Sequence, residues 1–342
     1  MNSAHRPCCW LTLFLASGIL IGHFLPVALL FWLWISSALI LVFLFRPKIW
    51  PIYASVFCLG AALIHVAHPP AMDILQDWRG QLKWSLYHYL DGEEAGTMSA
   101  IVLGDRGHIP KEINMLFRHT GTGHILVIAG LHMAMMTAMI LFILKLIRIP
   151  RCLQMGGSIL FLFIFAILTG GSVPVMRAVF MASVVLASFS FEHESDSLNS
   201  LALAALILLL MDAHNLFDTG FQLSFAAVAA IVILYGHIEK RLSFCPRWLA
   251  STLSVSTSAW IGITPLQIWH FGTITPVALI ANIFIVPLLD LTVALGLPLA
   301  LAGLWAPSAA WAMAGCLKVV FNLMVVIAYW FSLVPFGYIQ LG

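Results

Sequence analysis

A chain of 342 residues that is 62% hydrophobic and only 9% charged, with a mean hydropathy of +1.02, falls outside the soluble globular class and reads as a polytopic membrane protein. Its apolar stretches are continuous, Leu11 to Phe45, Ser158 to Thr169 and Leu201 to Met211 among them, where a membrane barrel would alternate polar and apolar residues, so the spans are helices. A net charge of +2 leaves no polybasic surface, and a polyanionic partner has to be met by a few local groups.

Met1 to Phe45 opens with Arg6 and an apolar run broken at Gly22-His23-Phe24-Leu25-Pro26. A cleaved signal peptide and a helical hairpin with its tip near Pro26 both fit; the run continues past any plausible cleavage point, which favours the hairpin. Ile49 to Val66 makes a third span, so residues 1–67 are expected to be N-terminal transmembrane anchor helices. Residues 68–122 are the most polar stretch of the chain. Within it Leu75, Trp78, Leu82, Leu86 and Tyr89 recur at helical spacing, which predicts an outward-facing (periplasmic or extracellular) amphipathic segment at the membrane interface. A solvated helix resting on the membrane domain fits the same spacing. Leu103-Gly104-Asp105-Arg106-Gly107 reads as a turn, and Pro110-Lys111-Glu112 as the first turn of a short helix ending at Arg118 and His119.

Residues 123–342 are expected to be the transmembrane core. Gly123 to Leu144, two crossings split by Thr169-Gly170-Gly171-Ser172-Val173-Pro174, then Leu198 to Met211 and Leu216 to Gly236 place Lys145, Arg148, Arg151, Lys240, Arg241 and Arg247 on one side. That side, shared with the N-terminus, is the cytoplasm by the positive-inside rule. The acidic patch Glu192-His193-Glu194-Ser195-Asp196 lands there too, but acids weigh little in that rule. Trp248 to Ile268, Thr275 to Leu289, Leu291 to Leu304 and Trp311 to Val334 read as four further spans. Pro265, Pro276, Pro287 and Pro298 either break them to line a cavity or merely kink packed helices. The fold class is all-α, a polytopic transmembrane helical bundle of about ten or eleven helices.

The sequence carries no HExxH, GxSxG, Walker A or GxGxxG motif, so no catalytic residue is assigned and no enzyme is expected. Thirteen histidines raise a metal site, yet His124 and His132 lie about 80° apart around a helix and share no face. No metal or cofactor is expected, and the six cysteines, without a CxxC pair, read as small hydrophobes. Polar groups inside apolar runs require a reason, because a central charge costs about 2.5 to 3.5 kcal/mol on insertion scales. Arg177 either snorkels or points inward to an anion. Gln222 and Ser224 either bond between helices or line a path. Asn282 caps a broken half-helix or meets substrate, and Asp290 falls at a turn. The densest such place is Arg118-His119-Thr120-Gly121-Thr122-Gly123-His124, leading through Gly130 to His132. Its glycines allow close helix packing, and its donors at a helix start suit an anion.

These residues resemble the membrane-embedded competence domain of the ComEC family of DNA-uptake proteins. Leu103-Gly104-Asp105-Arg106 and Phe117-Arg118-His119-Thr120-Gly121-Thr122-Gly123-His124 through Ala129-Gly130-Leu131-His132 look like its first signature, with Ala129 where the family usually has Ser. Val175-Met176-Arg177-Ala178 is similar to a second motif, Asp212 with Gly220-Phe221-Gln222-Leu223-Ser224-Phe225 to a third, and Pro265, Phe271-Gly272, Asn282 and Pro287 to a fourth. The resemblance covers roughly Met98 to Pro298. It implies an inner (plasma) membrane channel of a bacterium that passes single-stranded DNA into the cytoplasm during natural transformation. Implied partners are single-stranded DNA, membrane lipid, other competence proteins (a DNA receptor and a cytoplasmic translocase) and a second copy of the chain. The family's OB-like and metallo-β-lactamase-like domains are not expected here. In this reading Arg118, His119 and His124, with Gly130 and His132 behind them, form the outer entrance. Arg177, Gln222 and Ser224 line mid-depth, and Asn282 with Pro287 makes a broken-helix gate. A secondary transporter for a small anionic solute, built on the same broken helices, is the alternative, and a structural membrane subunit with no path of its own is a third.

Overall fold

The computed structural model describes residues 7–24, 76–126, 128, 130–190 and 196–341. The hairpin tip expected at Pro26, the span from Ile49 to Val66, Leu75, Ala129 and the acidic patch up to Ser195 lie outside the described residues. The helices are α1 (Pro7–Phe24), α2 (Gln76–Tyr89), α3 (Gly92–Leu103), α4 (Lys111–His119), α5 (Gly130–Leu146), α6 (Arg151–Leu168), α7 (Val173–Ser190), α8 (Ser197–Met211), α9 (Thr219–Arg241), α10 (Arg247–Phe271), α11 (Ala278–Trp305) and α12 (Pro307–Ser332). Strand structure among the described residues is confined to β1 (Thr273–Ile274) and β2 (Ile339–Gln340), paired antiparallel with Thr273 opposite Gln340. Among these helices α9, α11 and α12 are each long and apolar enough to cross a membrane, and shorter apolar helices include His132–Leu146, Leu153–Leu168 and Ser197–Met211. The protein is an all-α membrane helical bundle.

The chain divides into two compact units, residues 1–70 with 183–229 and residues 71–182 with 230–342. In the first, α1 lies along α8. Cys8 N donates to Asn199 Oδ1 at 3.1 Å and Thr12 Oγ1 to the Ala202 carbonyl at 2.7 Å. Leu15 and Ile19 are fully buried, and the His23 ring meets Phe217 at 4.5 Å. The α8–α9 link is a 3₁₀ turn (Ala213–Phe217) capped by Asp212, whose Oδ1 accepts from His214 N at 2.9 Å; Asp218 Oδ1 then accepts from Phe221 N at 2.7 Å to start α9.

The second unit is built on α11, which touches α2, α3, α5, α10 and α12. It is one helix where two were expected. It runs unbroken through Pro287 and Pro298, and Asp290 sits inside it rather than at a turn. Each proline removes one N–H and leaves the carbonyl one turn back without its donor, a local loss that continuous packing on several neighbours tolerates. Glycine sets the closest approaches. A Cβ on Gly296 would lie 2.6 Å from Val102 Cγ2 of α3, and one on Gly303 would overlap Ser85 of α2 and sit 2.8 Å from the Tyr89 ring. Ser85 Oγ and Tyr89 OH donate to the carbonyls of Leu299 and Gly303 at 3.5 and 3.4 Å, so α2 runs parallel to α11.

α3, unforeseen as a helix, is the most enclosed element of this unit. It starts after Asp91, carries Glu93 and Glu94 in its first turn where acids suit the helix dipole, and is buried from Ala95 to Leu103. Small residues let it be covered on all sides. Asp91 at its start meets Lys318 of α12 at 2.8 Å.

Candidate functional site

The organising stretch begins where α4 ends. α4 buries only Phe117, and the chain then turns through Thr120, Gly121 and Thr122. Gly121 adopts φ +69°, and a Cβ there would come within 2.6 Å of Thr275 Oγ1 and 2.7 Å of Ala278 Cβ; both a left-handed backbone and contact with the start of α11 require glycine. The Thr120 and Thr122 hydroxyls lie 2.7 Å apart and reach the Phe117 carbonyl at 3.1 and 3.3 Å. Both residues are fully buried, so these hydroxyls hold the turn and are not offered to an anion.

What the turn does offer is one guanidinium and two imidazoles. Arg118, His119 and His124 are all exposed. The His119 ring lies 4.9 Å from Tyr338, just before β2, and β2 is held to β1 and by Leu341 N donating to the Gly272 carbonyl at 2.6 Å. Trp260 Nε1 donates to the Thr275 carbonyl at 3.2 Å, fixing the start of α11 to α10. Residues 118–124, 272–278 and 337–341 thus form one polar rim. Behind it Gly130 opens α5 with open space beside its Cα, so close packing does not explain it, and His132 two residues further is only 2% exposed.

A second polar cluster surrounds the end of α3. Gly104 caps the helix at φ +73°, packed near Ile128 and Thr169. Asp105 then accepts from Gly107 N and pairs with Lys83 Nζ at 2.5 Å. Hydrogen bonding from Lys83 holds the Asp105 carboxyl below the usual carboxylate range, against the opposing effect of burial. Arg79 Nη2 donates to the Leu103 carbonyl at 3.3 Å and lies against the glycine turn at Gly170. Arg106, Gly107 and His108 are exposed.

The remaining sequence-predicted residues lie apart from the rim. Arg177, in the first turns of α7, is 3% exposed: of the two readings, the guanidinium is turned inward rather than snorkelled. Asn282 is half-buried in α11, with an Oδ1 that accepts no hydrogen bond among the described residues. Pro287 is exposed within the continuous α11, so no broken-helix gate exists there, and the transporter alternative loses the broken helix it relied on. Gln222 and Ser224 belong to the first unit; Gln222 Nε2 donates to the Leu216 carbonyl at 2.9 Å and closes its own loop, while Ser224 is half-buried. Among the described residues no group of three or more His, Cys, Asp or Glu could hold a metal. Sequence reasoning quoted Arg106 only as part of the Gly104 signature, without a role, and assigned none to Lys83 or Tyr338, which the fold brings in from far along the chain.

The family model of the competence proteins matches residues 101–342, which contain the rim, the Gly104 turn and α11. The chain belongs to the competence protein family. Similar relatives are ComE operon protein 3 of Bacillus subtilis, 31% identical over 214 residues (63% of this chain, 27% of that protein), and Recombination protein 2 of Haemophilus influenzae, 24% identical over 208 residues (56% and 26%). Competence protein ComA of Neisseria gonorrhoeae is 25% identical over 213 residues (55% and 30%). This competence-family chain spans between a quarter and a third of the length of those relatives. No solved structure matches it.

Proposed function

We propose that this chain is the membrane channel core of a natural-transformation system, passing single-stranded DNA inward across a bacterial inner membrane without catalysing a reaction. The observation that carries this reading is Arg177. A guanidinium kept 3% exposed in an apolar helix is retained against an insertion cost of about 2.5 to 3.5 kcal/mol, which marks intramembrane cations as functional. The match over residues 101–342 supports the process. A strand that brings one charge per nucleotide passes best when a few spaced cations touch it without holding it. Exposed Arg118, His119 and His124 suit an entrance, with Gly130 and His132 at the first step inside. Arg177, Gln222 and Ser224 are assigned to mid-depth. Asn282 supplies an amide oxygen that accepts no hydrogen bond among the described residues, and Pro287 an Ile283 carbonyl that lacks its helical donor.

In this reading residues 1–67 anchor the chain with a cytoplasmic N-terminus, 68–122 face outward, and 123–342 form the multi-pass core. DNA, lipid, a DNA receptor, a cytoplasmic translocase and further copies of the chain are its partners. The test is transformation by added DNA in cells carrying Arg177→Ala, with membrane levels of the protein checked alongside. Uptake is expected to be lost at normal protein level. Unchanged uptake removes Arg177 from the path, and unchanged uptake after deletion of the whole gene ends the DNA reading.

A further inference from the structure

The turn between α12 and β2 holds a large ring in the open at the polar rim. Phe336 is 84% exposed and meets no other ring among the described residues. Its backbone sits at φ +61°, a left-handed conformation that strains any residue with a Cβ, a bulky one most. Packing on the next residue holds the turn there. Gly337 is buried against Val277, whose Cβ would lie 3.1 Å from a Cβ on the glycine, and Val277 N donates to the Gly337 carbonyl at 3.5 Å. Tyr338 follows, 36% exposed, with the His119 ring 4.9 Å away. Beside His119 the Arg118 side chain runs along Gly123, its Cγ 3.3 Å from where a Cβ would stand. No Asp or Glu occurs in residues 118–124, 272–278 or 329–341.

Exposed aromatics near a helix end are ordinary at a membrane interface, and Tyr329 and Trp330 of α12 fit that role. Leu323, Val326 and Trp330 are all exposed and share one face of the helix, so an apolar stripe ends in an amphipathic ring. Phe336 lies past that level. Phe331 meets Phe284 at 5.9 Å, while Gly337 rests on Val277, seven residues earlier and roughly 10 Å further along α11. The side is set by the neighbours: α5 runs from the rim to Lys145 and α10 from Arg247 to the rim, which the positive-inside rule turns outward. Beyond the interface a bare phenyl ring faces water, and lipid does not account for it.

We propose that Phe336 and Tyr338 are a base-stacking platform at the entrance, on which bases of the incoming single strand lie while Arg118 meets a neighbouring phosphate. This rests on the single-stranded DNA reading and adds the rings to it. Flat apolar faces beside a guanidinium, with no carboxylate in the surrounding segments, suit a ligand that has both flat faces and negative charge. A free phosphate or an acidic peptide lacks the faces, and a duplex hides them in its own stack. Stacking is tolerant of sequence, as an entrance open to any DNA requires.

The test is binding of two fluorescein-labelled oligonucleotides of equal length by the full chain in lipid nanodiscs: poly-dT, and an abasic strand that keeps every phosphate and lacks every base. The native chain is expected to hold poly-dT at least about fivefold more tightly, the low end for one stacked base. Phe336→Leu keeps the apolar bulk without the π face; it is expected to remove most of that preference and leave abasic binding unchanged. Phe336→Trp is expected to retain the preference, and Trp330→Leu to leave it untouched. Arg118→Ala is expected to weaken both ligands alike. Equal affinity of the native chain for the two strands, or a full preference kept by Phe336→Leu, overturns the platform and leaves a DNA path standing. Equal losses in Phe336→Leu and Trp330→Leu put both rings in one lipid belt and overturn it as well. A native chain that binds neither strand, with unchanged transformation after deletion of the gene, removes the DNA reading and the platform together.

Discussion

α3 and α4 come from one polar stretch, separated by a single turn, and reach opposite environments. α3 is buried from Ala95 to Leu103, and α4 buries Phe117 alone. Charge does not distinguish them in advance, since each has acid in its first turn. The partner surface does. α3 meets a glycine notch in α11 that accepts Val102, whereas α4 rests on its neighbours through one aromatic side chain. Depth in this protein is set by matched small residues, and polarity of the flanks is a poor guide to it.

The contrast breaks most visibly at α4's single anchor. Phe117→Ala is expected to cost about 3 to 5 kcal/mol, read as a lowered midpoint for thermal unfolding in detergent. A loss no larger than that of a surface change would mean that α4 is not held by this ring. Next comes the notch. Gly303→Val forces a side chain into Ser85 and Tyr89 and is expected to cost about 1 to 3 kcal/mol. Gly315→Val in α12, where a Cβ finds open space, is the paired control and should leave the midpoint nearly unchanged.

A smaller effect is expected at the mouth of α3, where Asp105→Asn loses a half-exposed ion pair and is expected to cost about 1 kcal/mol at neutral pH. Its sign against pH is fixed: the folded carboxyl titrates below the unfolded one, so its contribution is complete above pH ~4 and disappears as pH falls through the folded value. Stability curves of the native chain and Asp105→Asn should therefore converge in acid, and parallel curves would exclude the Lys83 pairing. Smallest of all, Met115→Ala on the exposed side of α4 should stay within about 0.5 kcal/mol.

Much of the helical architecture was legible because apolar runs bounded by basic clusters leave few alternatives in a bilayer. The turn at Leu103-Gly104-Asp105, the end of α4 at His119 and the starts of α8 and α10 all fall close to where capping residues and charge put them. α3 was hidden because Ala95, Gly96, Ser99 and Ala100 give no amphipathic stripe; a helix covered on every side has no polar face to betray its period. The unbroken α11 was misread for the opposite reason. Pro287, Pro298 and Asp290 are strong local signals for a break, and they were overruled by packing on five neighbours, which no local signal records. At the rim, Arg118, His119 and His124 were found from composition, but Tyr338, far away in sequence, entered only through strand pairing. The hydroxyls of Thr120 and Thr122 looked available until their hydrogen bonds to the Phe117 carbonyl were known.

The same prolines give α11 a mechanical character. A helix with two weakened turns is a rod with two soft joints, and this rod is the common axle of α2, α3, α5, α10 and α12. A few degrees of flexing at Pro287 would swing the half that carries the Gly296 and Gly303 notches relative to the half that carries Thr275 and the rim. The rim and the notches that seat α2 and α3 would then move as the two arms of one lever.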